Sequence, residues 1–350
     1  MFKLKCGCVF VGICFCLFAF TSNSTNPLSD KVEKLKREKK LVSLHPDEKL
    51  KQSEKYSNAE IIALGKQLFN DKALSRNQNV SCGSCHLENK GFSSGESFGT
   101  GTHGNLTKRN VPHLYNLDLN MSFFWDGRVS SLEDQLNKVI TSKDELDMNF
   151  DDLVIRLKAT SEYKSKFDTL FPKRGVTKGS ISQALLSYEK NILSFSSAYD
   201  NYLDGDTNAL TGTQKKGLEV FISKGNCIAC HKGVNLSDNE FHNVGVKTND
   251  IGRSEFDKIG MKNEFESTPY PFFSTFKAFR TPTLRNVSNT APYFHDGSKK
   301  TLREVLDNYI KGGENPEKTG LAKEIKPLDL NEQEIESLLD FLTALSSPNY

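Results

Sequence analysis

Two short runs, SCGSCH at 81–86 and NCIACH at 226–231, constrain this chain more than anything else in it. Each is a C-x-x-C unit followed directly by histidine. That is the signature of covalent haem attachment: the thiols form thioethers with the haem vinyl groups, and the histidine is placed to coordinate the iron. Cys82, Cys85 and His86 therefore make one predicted haem c site, and Cys227, Cys230 and His231 a second. Two other chemistries use C-x-x-C. Structural zinc draws its ligand pairs from close by in sequence, whereas these pairs lie 145 residues apart. A thioredoxin-like dithiol needs no histidine in both copies and sits in a βαβ frame, which the pattern does not show. A chain with two such motifs must wrap helices and loops round two large flat groups.

The other four cysteines, Cys6, Cys8, Cys14 and Cys16, fall in a segment that reads as an export signal. Lys3 and Lys5 precede an uncharged run from Val9 to Phe20, and Thr21, Ser22, Asn23 and Ser24 follow. A basic start, a short apolar stretch and a small polar exit describe a secretory signal peptide over 1–24, and the run is short for a membrane span. Export to the periplasm agrees with haem c, which is attached after translocation. Of the 46 basic residues only Lys3 and Lys5 lie in that segment, so the remainder equals the 44 acids. A near-neutral mature chain gives no support to nucleic-acid binding.

Residues 25–56 are rich in Lys and Glu and read as a solvated helix or charged linker. A helix is predicted to start at Ser57, with Glu60 completing a capping box and Ile61, Ile62, Leu64, Leu68 and Phe69 forming its apolar face. Further helices are predicted near 131–140, 150–170 and 179–200. The pattern then repeats. Thr211 and Gln214 form a second capping box, and Gly217, Leu218, Val220 and Phe221 echo Gly65, Lys66, Leu68 and Phe69. RNVPHLYN…FFWDGRVSSLEDQL in the first half is similar to RNVSNTAPYFHDGSKKTLREVL in the second, which matches Trp125 with His295. The fold class expected is mainly α: two similar domains, 57–205 and 206–350, related by internal duplication, with long loops organised by haem. Among the other histidines, His113 and His242 read as structural, His45 has no evident role, and His103 in GTGTHGN either faces haem 1 or stands exposed.

The two CxxCH runs together with RNVP, FFWDGR, TPTLRNV, TAPYFHDGS and TLREV resemble the bacterial di-haem cytochrome c peroxidase family, including its MauG-like members, over residues 55–345. The resemblance implies two cytochrome-c-like domains, with a peroxidatic haem in the first and an electron-transfer haem in the second. It implies catalytic roles for Glu145, ten positions after Gln135, as the acid–base group above haem 1; for Gln135 as its polar neighbour; and for Trp125 as the relay between haems. It also implies Ca²⁺ held by Asn110, Thr290 and Pro292. Two positions depart from the peroxidase pattern. The methionine expected on haem 2 is replaced by Tyr309, as in MauG-like members, with Met261 as an alternative ligand. The displaceable histidine of haem 1 aligns with Thr102, one place before His103.

The leading expectation is a periplasmic enzyme reducing hydrogen peroxide with electrons from a small cytochrome c or copper protein. A MauG-like enzyme oxidising residues of a partner protein is the second reading, and a non-enzymatic electron carrier the third. A homodimer is compatible with each.

Overall fold

The computed structural model describes residues 27–45, 56–255, 275–315 and 319–348. The expected signal segment with its four cysteines, the stretch 46–55 and Met261 lie outside the described residues. In chain order the helices are α1 (Pro27–Arg37), α2 (Ala59–Asn70), α3 (Leu132–Thr141), α4 (Phe150–Ala159), α5 (Ser161–Leu170), α6 (Lys178–Glu189), α7 (Ala198–Leu203), α8 (Gly212–Ile222), α9 (Leu302–Ile310) and α10 (Glu332–Thr343). The fold is mainly α, as expected. Among the described residues the strands are β1 (Phe241–His242) and β2 (Phe279–Arg280), paired antiparallel.

Local chemistry explains where the helices begin. The cap of α2 is Asn58, one residue beyond the predicted Ser57: its side-chain oxygen accepts from the amides of Glu60 and Ile61 at 2.9 and 3.0 Å. The predicted box at α8 is present, with Thr211 Oγ1 and Gln214 Oε1 each accepting the other residue's amide at 3.1 Å. The single helices expected at 150–170 and 179–200 are each broken. Thr160 takes extended backbone between α4 and α5, and Ser197 caps α7 after a non-helical passage.

Two apolar clusters form. One is built on α2 and α6, with Leu68, Phe69, Ala184 and Leu185 almost completely buried; the other on α8 and α10, with Leu218, Phe221, Leu338 and Phe341 likewise. Each pair of helices meets at a glycine. A Cβ on Gly65 would stand 2.0 Å from the Ala184 carbonyl oxygen, and one on Gly217 2.0 Å from that of Ser337. The echo of Gly65 in Gly217 is thus an echo of packing. The apolar contacts pass from the first cluster to the second between Ile192 and Tyr199, a little before residue 205.

The charged N-terminal stretch is no free linker where it is described. Leu28, Val32 and Leu35 form the apolar stripe of α1 and pack into the second cluster. Beyond it Leu41 bridges Gly233, beside the second CxxCH, and Leu44 N donates to Asp200 Oδ1 at 2.8 Å. Asp200 also receives Arg285 bidentately at 2.9 and 3.0 Å, with both side chains fully buried. His45 pairs with Asp204 and meets Ser196 Oγ at 3.0 Å.

The internal correspondence has a different register from the shared RNV triplets. Asn116 and Asn286 both take left-handed backbone and cap 3₁₀ turns, and Phe124 and Phe294 have φ of 65° and 67°. The bridges Phe123–Val129 and Tyr293–Lys299 match as well. Structurally, NVPHLYN at 110–116 therefore corresponds to RTPTLRN at 280–286, and the RNV runs at 109–111 and 285–287 are not equivalent. Trp125 and His295 do correspond.

Gly65→Ala and Gly217→Ala each force a methyl group against a backbone carbonyl that no rotamer can move. Each is expected to lower unfolding free energy by about 2–3 kcal/mol, read as a drop in the denaturant midpoint. Midpoints unchanged from the parent would show that the helices do not meet at these glycines.

Candidate active site

Both CxxCH runs face one continuous cavity of about 1020 Å³, at the upper end of the range for small-molecule sites. Cys82 opens a single helical turn, Cys82–Cys85, in which Ser84 Oγ accepts the Ser81 amide at 2.9 Å. A side chain at Gly83 would meet Asn70 Oδ1 at 2.3 Å, so this x position suits glycine. At the second run Asn226, in left-handed backbone, starts the turn Cys227–Ala229. In both runs the histidine amide donates to the first cysteine's carbonyl at 2.9 Å.

The histidines are oriented alike. His86 Nδ1 lies 2.9 Å from the Phe92 carbonyl oxygen, and His231 Nδ1 3.0 Å from that of Leu236. A carbonyl can only accept, so Nδ1 carries the proton and Nε2 keeps its lone pair for a metal. Burial keeps both rings neutral, His86 being pulled down to about 4. The four described cysteines are unpaired, although each C-x-x-C could close on itself. Free thiols, a neutral imidazole with its Nε2 available and a large apolar cavity are what covalently bound haem requires at each run.

The structure gathers Glu145, Gln135 and Trp125 on the wall of this cavity. Glu145 stands in the loop after α3, where its carbonyl accepts the Thr102 amide at 2.7 Å and its own amide donates to the Ser142 carbonyl at 3.1 Å. Its Oε2 is buried without a hydrogen-bond partner. Burial raises its carboxyl to about 7; Arg128 opposes the rise and Asp144 adds to it. Trp125 stands where the two halves meet. Its indole N–H donates to the Asn110 carbonyl at 2.8 Å, and its own carbonyl accepts the Arg280 amide at 2.7 Å. Asn110, Thr290 and Pro292 come to the same cavity.

His103 is not brought there. Its side chain is 40% exposed and pairs with Asp147 at 2.8 Å. The loop cannot shift by one residue without loss, because Thr102 is buried and its carbonyl accepts from Asn77 and Asn79 at 3.0 and 2.9 Å. Tyr309 does line the cavity, and burial raises its phenol well above the ordinary value. His113 and His242, read from sequence as structural, line it too. Burial pulls His113 down to about 4, whereas Asp238, 3.0 Å away, raises His242 to about 10. His295 stacks on Phe279 with ring centroids 3.7 Å apart.

Glu189 escaped the sequence reading. Glu189, the last residue of α6, is 6% exposed and lines the cavity beside Cys82. Burial alone raises its carboxyl to about 8. The matched glycine contacts of α6 and α10 set Ala184 against Ser337 and Tyr188 against Phe341, so Leu342 is its counterpart. The signal was present: Glu189 continues the spacing of the buried Ile181 and Leu185, and an acid on a buried stripe is anomalous.

Comparison with known proteins places these features in context. A sequence profile described as di-haem cytochrome c peroxidase matches residues 59–208. The methylamine utilization protein MauG of Methylorubrum extorquens is 36% identical over 290 residues, covering 82% of this chain and 78% of that protein. The cytochrome c551 peroxidase of Pseudomonas aeruginosa is 34% identical, covering 81% and 78%. A crystal structure of a MauG-like protein associated with microbial copper homeostasis superposes with a TM-score of 0.73 at 29% identity, covering 83% of this chain and 90% of that one.

Glu189 makes folding sensitive to pH. Its carboxyl ionises near 4.5 when unfolded and near 8 when folded. Between those values the unfolded chain binds fewer protons, so stability falls as pH rises. Glu189→Leu is expected to remove roughly 2–4 kcal/mol of that fall, measured as denaturant midpoints of parent and variant at pH 5 and pH 9. An unchanged slope would remove Glu189 as its source.

Proposed function

The chain belongs to the di-haem cytochrome c peroxidase family, a family of haem c oxidoreductases that includes MauG, and on that premise we propose that it is a periplasmic peroxidase. It reduces hydrogen peroxide to two waters, taking two electrons from a small cytochrome c or copper protein and two protons from solvent. The observation that carries this reading is Glu145: a buried carboxyl with one oxygen unpartnered, on the wall of the cavity that His86 also faces.

Haem c held by Cys82, Cys85 and His86 supplies the redox chemistry of O–O cleavage. Glu145 supplies the proton transfer that cleavage needs. Held near 7, it is divided between acid and base at neutral pH, so it can take a proton from one peroxide oxygen and return it to the other, which then leaves as water. The Thr102 amide on its carbonyl and the Ser142 contact fix the loop that carries it. Gln135 is a polar neighbour in the same cavity, and its amide can orient peroxide or an ordered water.

Cys227, Cys230 and His231 would hold the second haem, and the phenol oxygen of Tyr309 would be available to its iron. Trp125, hydrogen-bonded to both halves, would offer a relay for electrons between the two haem sites. Asn110, Thr290 and Pro292 supply oxygen ligands for Ca²⁺ where the halves meet. The matched turns at Asn116 and Asn286, and the matched glycines, support two cytochrome-c-like domains that arose by duplication.

Tyr309 also favours a second reading. A phenol oxygen in place of the thioether of the peroxidase pattern stabilises ferric iron. That suits an enzyme which oxidises residues of a partner protein, as in the MauG-like branch, better than one that stores an electron on haem 2.

Glu145→Gln keeps the shape and removes the acid. Turnover of peroxide with reduced cytochrome c is expected to fall by about 10²–10⁴-fold, with two haems still bound per chain by pyridine haemochrome assay. Activity equal to the parent would refute the role of Glu145. Rapid reaction with peroxide but no oxidation of reduced cytochrome c or copper protein would favour the second reading.

A further inference from the structure

Three arginines line the cavity: Arg109, Arg128 and Arg280. Two of them are paired. Arg109 meets Asp126 and, at 2.6 Å, Asp250; Arg128 meets Asp126 at 3.0 Å. Away from the cavity wall, Arg285 has its bidentate partner in Asp200. The guanidinium groups of Arg109, Arg128 and Arg285 each have a carboxylate partner.

Arg280 breaks that pattern. Among the described residues no carboxylate comes within ion-pair distance of it. Its Nη1 makes two long hydrogen bonds, 3.3 Å each, to Asn120 Oδ1 and the Thr281 carbonyl. Its Nε is shut off from solvent and has no partner. Desolvation alone pulls the guanidinium down to about 10. Its neighbour His113 brings no negative charge. A buried cation without a counter-ion is costly. The position is also central. The Arg280 amide holds the Trp125 carbonyl, Pro282 two residues on faces His231, and His113 stands towards His86.

Among the described residues nothing supplies the counter-ion, and a carboxylate carried into the cavity by a bound group would do so. We propose that Arg280 anchors a propionate of a bound haem, and that its charge holds up the reduction potential of that haem. The inference rests on haem c filling the cavity, as family membership implies. A guanidinium presents several parallel N–H donors to a carboxylate, a geometry that lysine reproduces only as a point charge.

The test compares the full-length holoprotein with Arg280→Gln and Arg280→Lys. Pyridine haemochrome assay counts haems per chain, and spectroelectrochemical titration follows each haem separately. All three proteins are expected to hold two haems. In Arg280→Gln the reduction equilibrium of one haem is expected to move at least tenfold towards the oxidised form, about 59 mV for one electron; in Arg280→Lys most of that shift is recovered. The haem that moves identifies whose propionate is held. Unchanged potentials for both haems in Arg280→Gln would overturn the proposal, as would equal shifts in the two variants or loss of a haem from both. A parent protein that binds no haem would instead refute the haem reading itself.

Discussion

Everything at this site depends on two hydrogen bonds from imidazole to backbone. His86 to the Phe92 carbonyl and His231 to that of Leu236 fix which nitrogen carries the proton, and so which one faces the cavity. The bonds are short-range in sequence, six and five residues, and each closes the loop that leaves its CxxCH. They also decide a competition. A buried imidazole is driven to its neutral form, and a neutral imidazole has one donor and one acceptor. Assigning the donor to the backbone leaves the acceptor for iron. The loops can have little regular structure because this contact, together with the turns at Asn116 and Asn286, orders them.

On this shared frame the two halves carry different chemistry. The helices α3 and α9 follow matched turns, so Gln135 corresponds to Val305 and Val139 to Tyr309; α6 and α10 set Glu189 against Leu342. All six side chains line the cavity. The first half therefore places an amide and an acid where the second has aliphatic groups, and the second places a phenol where the first has valine. Glu145 adds a further acid to the first half only. Protons can be exchanged on one side of the cavity. The other offers the Tyr309 phenol at the place of Val139. The proposed division between a reacting centre and a relay centre would rest on these four differences.

How much of this was legible in sequence depended on the range of the interaction. The Thr211–Gln214 box is local, and the structure shows it as the sequence predicts. The cap at Asn58 was missed by one residue because Ser57 offers the same chemistry. The RNV triplets misled because identical letters fell at non-equivalent places, whereas the paired left-handed asparagines, invisible as a pattern, define the register. The docking of α1 depends on Leu28, Val32 and Leu35, three apolar residues in a charged stretch whose receiving surface lies more than a hundred residues away. Glu145 stood out only through the family resemblance, since KDELD alone describes an exposed loop. Arg280 could not be read from sequence: an arginine is anomalous only when its spatial neighbours are known, and among the described residues no acid pairs with it.

The same hydrogen bonds that join the halves also hold the groups proposed to move charge. Trp125 is fixed by the Asn110 carbonyl on one side and the Arg280 amide on the other, and the Asn110 amide in turn donates to the His295 carbonyl at 2.7 Å. Asn110 belongs to the proposed Ca²⁺ ligands, Arg280 to the cavity wall, and His295 to the position equivalent to Trp125. A change that separates the halves must therefore displace the tryptophan as well. Packing between halves and the proposed electron transfer across them would then be one property of this fold, because the same backbone amides and carbonyls hold both.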